Sequence, residues 1–339
     1  MKDNRAILQT EALSIGYRSK SADLVIAGDL NLSLEAGKLV CLLGENGSGK
    51  STLMRTLAGL QPALAGKILL GQRELARLKP QELATQLSLV LTERLETGNL
   101  TAREVITLGR TPYTGWLGQL SDADRRQIDL AIAYTATESL LNRQISQLSD
   151  GERQKVMLAR ALTQDTGVIL LDEPTAHLDL PNRIGLMKLL HRLAAETNKA
   201  ILLSTHELDL ALQTADQLWL MKKGGGLLAG VPEDLILNGS FESVFNQDNF
   251  FFDTNTGTFN IQREPTGEQV YLEGSDKEVL WTKKALQRAG FSVSNTADSR
   301  RKIKVMHIAG ERVMWEVSGS GSPVQLYSIA ALITFLTSQ

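Results

Sequence analysis

Between residues 39 and 52 the chain reads Leu39-Val40-Cys41-Leu42-Leu43-Gly44-Glu45-Asn46-Gly47-Ser48-Gly49-Lys50-Ser51-Thr52, a run that few architectures can hold. The five apolar residues call for a strand covered on both faces. The turn after them matches G-x-x-x-x-G-K-[ST] without a departure, and a helix is predicted from near Lys50. The glycines let backbone N–H groups turn inward around phosphate oxygens, at a helix N-terminus whose dipole already favours an anion. Lys50 places a point charge on the β- and γ-phosphates of a nucleotide, and the Ser51 hydroxyl is a ligand for Mg2+. Gly44, Asn46, Gly47, Ser48, Gly49, Lys50, Ser51 and Thr52 are therefore candidate nucleotide-binding residues.

A second buried run, Val168-Ile169-Leu170-Leu171, ends in Asp172-Glu173, and a third covers Ala200–Ser204. Short apolar runs separated by helical patterns indicate a parallel α/β sheet with both faces covered. At the end of its strand Asp172 is placed to hold a metal through water, and Glu173 to orient or deprotonate an attacking water. The composition suits a packed globule, 42% hydrophobic and 22% charged, and the net charge of −2 gives no bulk attraction to nucleic acid or an anionic membrane. The sole cysteine, Cys41, excludes an intrachain disulfide and reads as a buried strand residue. Lys2, Asp3, Asn4 and Arg5 precede only a short apolar stretch, which is not the pattern of a signal peptide. No apolar run approaches the roughly 20 residues needed to span a bilayer; the nearest, Ile329 to Leu336, is too short.

Residues 101–146 read as helical, with capping-box spacing at Thr101-Ala102-Arg103-Glu104 and a second helix opening at Ser121-Asp122-Ala123-Asp124. All eight phenylalanines lie at Phe241 or later, so the last hundred residues pack a different kind of core. Asn238-Gly239-Ser240 is the expected boundary, giving a domain over 1–239 and a small α+β domain over 240–339. In the latter, 259–261, 269–272, 302–308 and 312–317 read as strands, and 279–289 and 324–336 as helices. Trp281 and Trp315 are expected in its core.

Between the phosphate loop and the acids lies Leu148-Ser149-Asp150-Gly151-Glu152-Arg153-Gln154, and here the chain resembles ATP-binding-cassette (ABC) ATPases. The segment is similar to their signature, usually L-S-G-G-Q, with Asp150 where glycine is usual and Glu152 where glutamine is commonest. Ser149-x-x-Glu152 is also a capping box, which fits a signature that is itself a helix start. Three shorter matches follow the family. Ala176-His177-Leu178-Asp179 resembles the loop linking two active sites, with Asp179 as its working residue. His206 resembles the switch histidine that contacts the γ-phosphate, and Tyr17 the aromatic that stacks on adenine. The family's metal-sensing glutamine has no counterpart; Thr92 stands in its place, and Thr92 or Glu93 offers oxygen instead.

The resemblance covers roughly residues 5 to 240 and implies a P-loop cassette with a mixed or parallel sheet core and a helical insert at about 95–145. It implies ATP and Mg2+ as ligands, with Glu173 and His206 catalytic and Asp172 with Ser51 at the metal. It also implies a head-to-tail pair of subunits, because one chain carries one copy of each motif; Ser149 and the Gly151 backbone would reach the γ-phosphate held by the second copy. The insert would dock on transmembrane permease subunits, placing the chain peripherally on the cytoplasmic face of the inner membrane. Leu108-Gly109-Arg110-Thr111-Pro112-Tyr113, Gly115-Trp116-Leu117-Gly118 and Gly230-Val231-Pro232-Glu233-Asp234-Leu235 resemble ATPases of importers for ferric siderophores, haem and vitamin B12. Such importers use a substrate-binding protein, which this chain would meet only indirectly, and no nucleic acid. The alternatives are a non-transport ATPase of this family and a low-activity regulatory nucleotide-binding module.

Overall fold

A computed structural model describes residues 6–20, 22–91, 99–116, 118–246, 250–254, 256–261, 268–274, 276–294, 299, 301–308, 312–319 and 322–338. The chain divides into two compact units, Met1–Asn246 with Phe252–Thr258, and Gln247–Phe251 with Phe259–Gln339.

The first unit opens with an antiparallel sheet. Strand β1 (Ala6–Tyr17) pairs with β2 (Leu24–Leu30) and β3 (Ser33–Glu35), burying Leu8, Leu13 and Ile15. The chain then enters the interior as β4 (Leu39–Gly44), every residue of which is buried, and turns into helix α1 (Lys50–Leu57). Strands β5 (Ala65–Leu70) and β6 (Arg73–Glu74) complete the antiparallel sheet beside β1. This sheet is an element that the apolar runs alone did not announce.

The second sheet forms around β4. Helix α2 (Pro80–Ala84) leads to β7 (Leu87–Val90); helices α3 (Ala102–Thr107), α4 (Asp122–Thr135) and α5 (Asp150–Thr163) follow before β8 (Val168–Asp172). Then come α6 (Leu180–Thr197), β9 (Ala200–Ser204), α7 (Leu208–Thr214), β10 (Gln217–Met221), β11 (Leu227–Gly230), α8 (Pro232–Leu237) and α9 (Ser240–Phe245). The strand order is β11-β10-β4-β9-β8-β7. Strands β10, β4, β9, β8 and β7 run parallel and β11 runs antiparallel at the edge. Helices on both faces explain why β4, β8 and β9 read as unbroken apolar runs rather than alternating ones. Cys41 is buried within β4, as its neighbours predict.

Register decides where chemistry can occur. Met221 pairs with Gly44, Leu42 with Ser204, and Ser204 with Asp172. The C-terminal ends of β10, β4, β9 and β8 therefore share one edge of the sheet, where ligands of open α/β sheets bind.

The helical segment packs a core of its own. Ala102, Val105 and Ile106 of α3, Ile128 and Ile132 of α4, and Val156 and Ala159 of α5 form one cluster separate from the sheet core. Thr101 and Ser121 cap α3 and α4 through the boxes that their spacing predicts. Arg110 and Asp124 form a buried ion pair at 2.7 Å, and Arg110 Nη1 also donates to the Thr163 carbonyl at 2.9 Å. Arg110 belongs to the 108–113 segment that resembles importer ATPases, and its bond to Thr163 fastens the insert to the end of α5.

Strands β12 (Phe250–Asp253) and β13 (Thr258–Ile261) make a separate two-stranded sheet, with Phe252–Thr258 counted in the first unit and the rest in the second. The main sheet of the second unit holds β14 (Gln269–Glu273), β15 (Ser292–Ser294), β16 (Arg301–Ile308), β17 (Arg312–Ser318) and β18 (Val324–Leu326) in the order β15-β14-β16-β17-β18. Helices α10 (Asp276–Arg288) and α11 (Ile329–Thr337) join Val270, Ile303, Trp315 and Val317 in its core through Leu286, Leu332 and Leu336. Two expectations need correction. Residues 324–326 are a strand paired with β17 rather than the start of a helix, because Ser328 caps α11 by accepting from the Ala331 N–H at 3.1 Å. Trp315 is buried and donates from Nε1 to Thr282 Oγ1 at 2.8 Å, but Trp281 is 58% exposed. Thr282 and Leu286 mark the inner face of α10, and position 281 falls outside that stripe.

Replacing Asp124 by Asn leaves Arg110 charged and unmatched inside the insert, and should cost about 3 kcal/mol of stability. Hydrogen bonds from Ser121 and the Arg110 guanidinium hold the Asp124 carboxyl at about 2, below its ordinary 3.8. A depressed folded value means that the contribution is whole above about pH 4 and is lost as the pH falls toward 2. Thermal melts of the parent and Asp124→Asn should therefore differ at pH 7 and converge in acid; equal melts at pH 7 would refute the pair's role.

Candidate active site

Gly44 ends β4 against its neighbour strand, and a side chain there would meet the Met221 carbonyl at 2.5 Å and Ser48 Oγ at 2.8 Å. At Gly49 the backbone has φ 106°, and a Cβ would run into Ile26 at 2.4 Å. Both positions demand glycine, one for close approach and one for conformation. Helix α1 starts at Lys50 with no side-chain cap on its N-terminus. Ser48 Oγ is buried without a partner, a polar atom turned inward that a phosphate oxygen would satisfy. The cradle thus fits a polyphosphate on its own geometry.

Lys50 is 6% exposed, and its Nζ donates to the carbonyls of Gly44 at 2.8 Å and Glu45 at 3.1 Å. Burial pushes its pKa down, opposed by the negative charges of Glu173 and Asp172. The lysine and the two acids therefore share one electrostatic neighbourhood, as the strand register requires. Tyr17, at the end of β1, is 49% exposed and its hydroxyl lies 3.2 Å from Thr52 Oγ1. That contact sets an open aromatic face beside the cradle.

The acidic end of β8 is held by β9. Ser204 Oγ donates to Asp172 Oδ1 at 2.6 Å, and the Glu173 N–H donates to Ser204 Oγ at 2.9 Å and to its carbonyl at 3.2 Å. Glu173 needs that grip: its φ is 47°, a left-handed conformation that costs a non-glycine residue about 1–3 kcal/mol. Thr175 Oγ1 and Thr205 Oγ1 lie 3.2 Å apart, and His206 Nε2 lies 2.9 Å from Glu173 Oε1. Ser204 was not a sequence candidate. Its only signal was the strand pairing of β8 with β9, which no local motif announces.

The 176–179 loop follows directly from this cluster, the Ala176 N–H donating to the Glu173 carbonyl at 3.1 Å, and it meets the start of α5. Ser149 caps α5, accepting from the Glu152 N–H at 3.3 Å, while Glu152 Oε2 accepts from the Ser149 N–H at 2.8 Å. Gly151 lies against the Asn182 side chain, which a Cβ would meet at 2.9 Å. Asp179 caps α6, taking hydrogen bonds from the Asn182 N–H at 3.1 Å and Nδ2 at 2.7 Å. The start of α5 and the 176–179 loop are thus joined to each other, while α5 packs on α3 and α4. Asn46, Gly47 and Ser51 lie at the exposed rim of the cradle. Thr92 and Glu93 lie outside the described residues.

A phosphate cradle on a buried parallel strand, with a lysine inside it and two acids on a nearby strand, defines a P-loop nucleoside triphosphatase. Residues 27–176 match the family described as ABC transporter, and residues 267–337 match the Iron ABC transporter C-terminal domain. An uncharacterized ABC transporter ATP-binding protein of Methanocaldococcus jannaschii is 37% identical over 259 residues, 76% of this chain and 88% of that one. A probable siderophore transport system ATP-binding protein of Bacillus subtilis is 35% identical, covering 70% and 86%. The iron(3+)-hydroxamate import ATP-binding protein of the same organism is 34% identical, covering 71% and 88%. Among solved structures, a subunit of an ABC transporter complex from Clostridium perfringens aligns with TM-score 0.61 and 25% identity over 70% of this chain and 93% of that one. A dimeric ATP-binding cassette in a post-hydrolysis state, bound to ADP and Pi, aligns with TM-score 0.58 and 25% identity over 66% and 98%. The chain belongs to the ATP-binding subunits of ABC transporters and is an ATPase.

Ser204→Ala removes a hydrogen bond to a carboxylate and one from the strained Glu173 backbone. A bond of that kind is worth about 1.5 kcal/mol, roughly tenfold in rate. Turnover should fall by about that factor and the melting temperature by about 3–6 °C, with ATP affinity held and Ser204→Thr restoring the rate. Turnover unchanged in Ser204→Ala would remove it from the site.

Proposed function

We propose that this chain energises import of a metal chelate of the ferric-siderophore, haem or cobalamin type through transmembrane permease subunits. The observation that carries the iron-type assignment lies outside the ATPase motifs: residues 267–337 match a domain described for iron ABC transporters. Relatives named for siderophore, hydroxamate and cobalamin import support it. A substrate-binding protein would deliver the chelate to the permease. None of the described helices is long and apolar enough to cross a membrane, so the subunit would sit peripherally, on the cytoplasmic side where ATP is supplied. Residues 1–239 would act as the motor, and 240–339 as an accessory domain.

In the working arrangement two copies would face head to tail with two ATP molecules between them. The cradle and Lys50 hold the β- and γ-phosphates, and Tyr17 stacks on the base. Among the described residues no group of three or more His, Cys, Asp or Glu gathers as a metal site. Ser51 and Asp172 fit Mg2+, which takes few protein oxygens and completes its shell with phosphate and water. Bound there, Mg2+ would neutralise charge on the phosphates. Glu173 orients and deprotonates the attacking water, and His206, hydrogen-bonded to Glu173, keeps that carboxylate directed toward the γ-phosphate. The second copy would close the site with Ser149 and the Gly151 backbone, its Asp179 loop joining the two sites. Closure on ATP and reopening after hydrolysis would rock the permease between its two faces.

Glu173→Gln keeps the shape and the cradle but removes the base. In complex with the permease it should retain ATP and lose roughly a hundredfold or more of turnover. Uptake of a ferric siderophore by vesicles holding the complex should stop with it. Phosphate release at the parent rate would reject Glu173 as the base.

A further inference from the structure

Helix α5 begins with two carboxylates at the end that the paired arrangement brings to a polyphosphate: Asp150 is its first residue and Glu152 its third. Acids in a first turn suit the helix dipole, but they repel an incoming anion. Each has a guanidinium set against it. Arg153 Nη1 donates to Asp150 Oδ1 at 2.9 Å, and its Nη2 donates to the Leu148 carbonyl at 3.1 Å. Arg143 Nη1 donates to Glu152 Oε1 at 2.8 Å, while the other arm bonds the Gln147 carbonyl at 2.6 Å. The second bond of each arginine is to backbone just before the helix, so both charges are anchored at its head and not free in solvent.

We propose that Arg153 and Arg143 are positioning residues that cancel Asp150 and Glu152, so that the start of α5 meets the γ-phosphate with N–H groups and the Ser149 hydroxyl and no net negative charge. This rests on the head-to-tail reading above. Asp150 is the departure from the family pattern that most threatens ATP-driven closure, and Arg153 answers it within one helical turn. Stability does not account for the pair. The side chains of Arg153 and Asp150 are 24% and 42% exposed, and ion pairs this open contribute little to folding. Their effect is electrostatic and local, and it is felt when a second, highly charged body approaches.

The test uses the full chain carrying Glu173→Gln, with pairing measured by sedimentation against ATP concentration. Adding Arg153→Gln should weaken ATP-driven pairing about tenfold, with the single-subunit ATP affinity and melting temperature unchanged. Adding Asp150→Gly to that variant should restore pairing, and Arg153→Lys should pair like the parent. The defect should also shrink between about 0.1 M and 1 M salt, as the screening length falls from roughly 10 to 3 Å. Parent-like pairing in Arg153→Gln overturns the proposal, as does a defect that Asp150→Gly fails to relieve or that salt does not change. If the Glu173→Gln parent itself does not pair in ATP, the head-to-tail reading fails first and this inference falls with it.

Discussion

The reactive edge of this molecule depends on β4 being unable to move. It has no exposed residue and lies between parallel neighbours on both sides. Its last residue is pinned against the Met221 carbonyl so closely that only glycine fits. From that fixed point the loop turns once and delivers α1 with its N–H groups facing outward. A binding site for a triphosphate is then a consequence of where a buried strand stops. The acids and the histidine take their positions from the same register, because β8 and β9 end together at the level of Leu42, just before β4 ends at Gly44.

A second layer of control is the strand-to-strand stitching at that edge. Ser204 holds Asp172 and the Glu173 backbone, Thr205 meets Thr175, and His206 meets Glu173. Residues 204 to 206, the end of β9 and its following turn, thus hold Asp172, Glu173 and Thr175 at the end of β8. The left-handed backbone at Glu173 persists because its surroundings over-determine it. The helical insert is fastened by other means, a buried ion pair and its own apolar cluster, and α5 belongs to that cluster. The start of α5 therefore answers to the insert for its packing and to Asn182 for its contact with the 176–179 loop.

Local chemistry was legible in the sequence, and long-range pairing was not. The phosphate loop and the capping boxes at Thr101, Ser121 and Ser149 are complete within a few residues, and each forms as its spacing requires. Ser204 depends on a partner strand 32 residues away, so nothing beside it reveals its role. The run from Val324 to Leu336 is apolar enough to read as one helix, yet Ser328 interrupts it and caps only the second part. Trp281 was expected inside because it is large and apolar, whereas helix α10 assigns its faces by period, and that turns it outward. The antiparallel sheet of β1, β2, β3, β5 and β6 is harder to read, because its strands are partly exposed and its apolar stretches, such as 24–27 in β2, have no chemical motif beside them.

The central claim is that Lys50 and the glycine cradle grip a triphosphate. Equilibrium titration of the purified full chain with ATP, with and without Mg2+, tests it most directly when set beside Lys50→Ala. The account requires saturable, Mg2+-dependent binding to the parent that weakens roughly a hundredfold in the folded variant, as loss of a charged hydrogen-bond donor implies. Equal affinities in the two proteins, or no Mg2+-dependent binding to the parent, would contradict it.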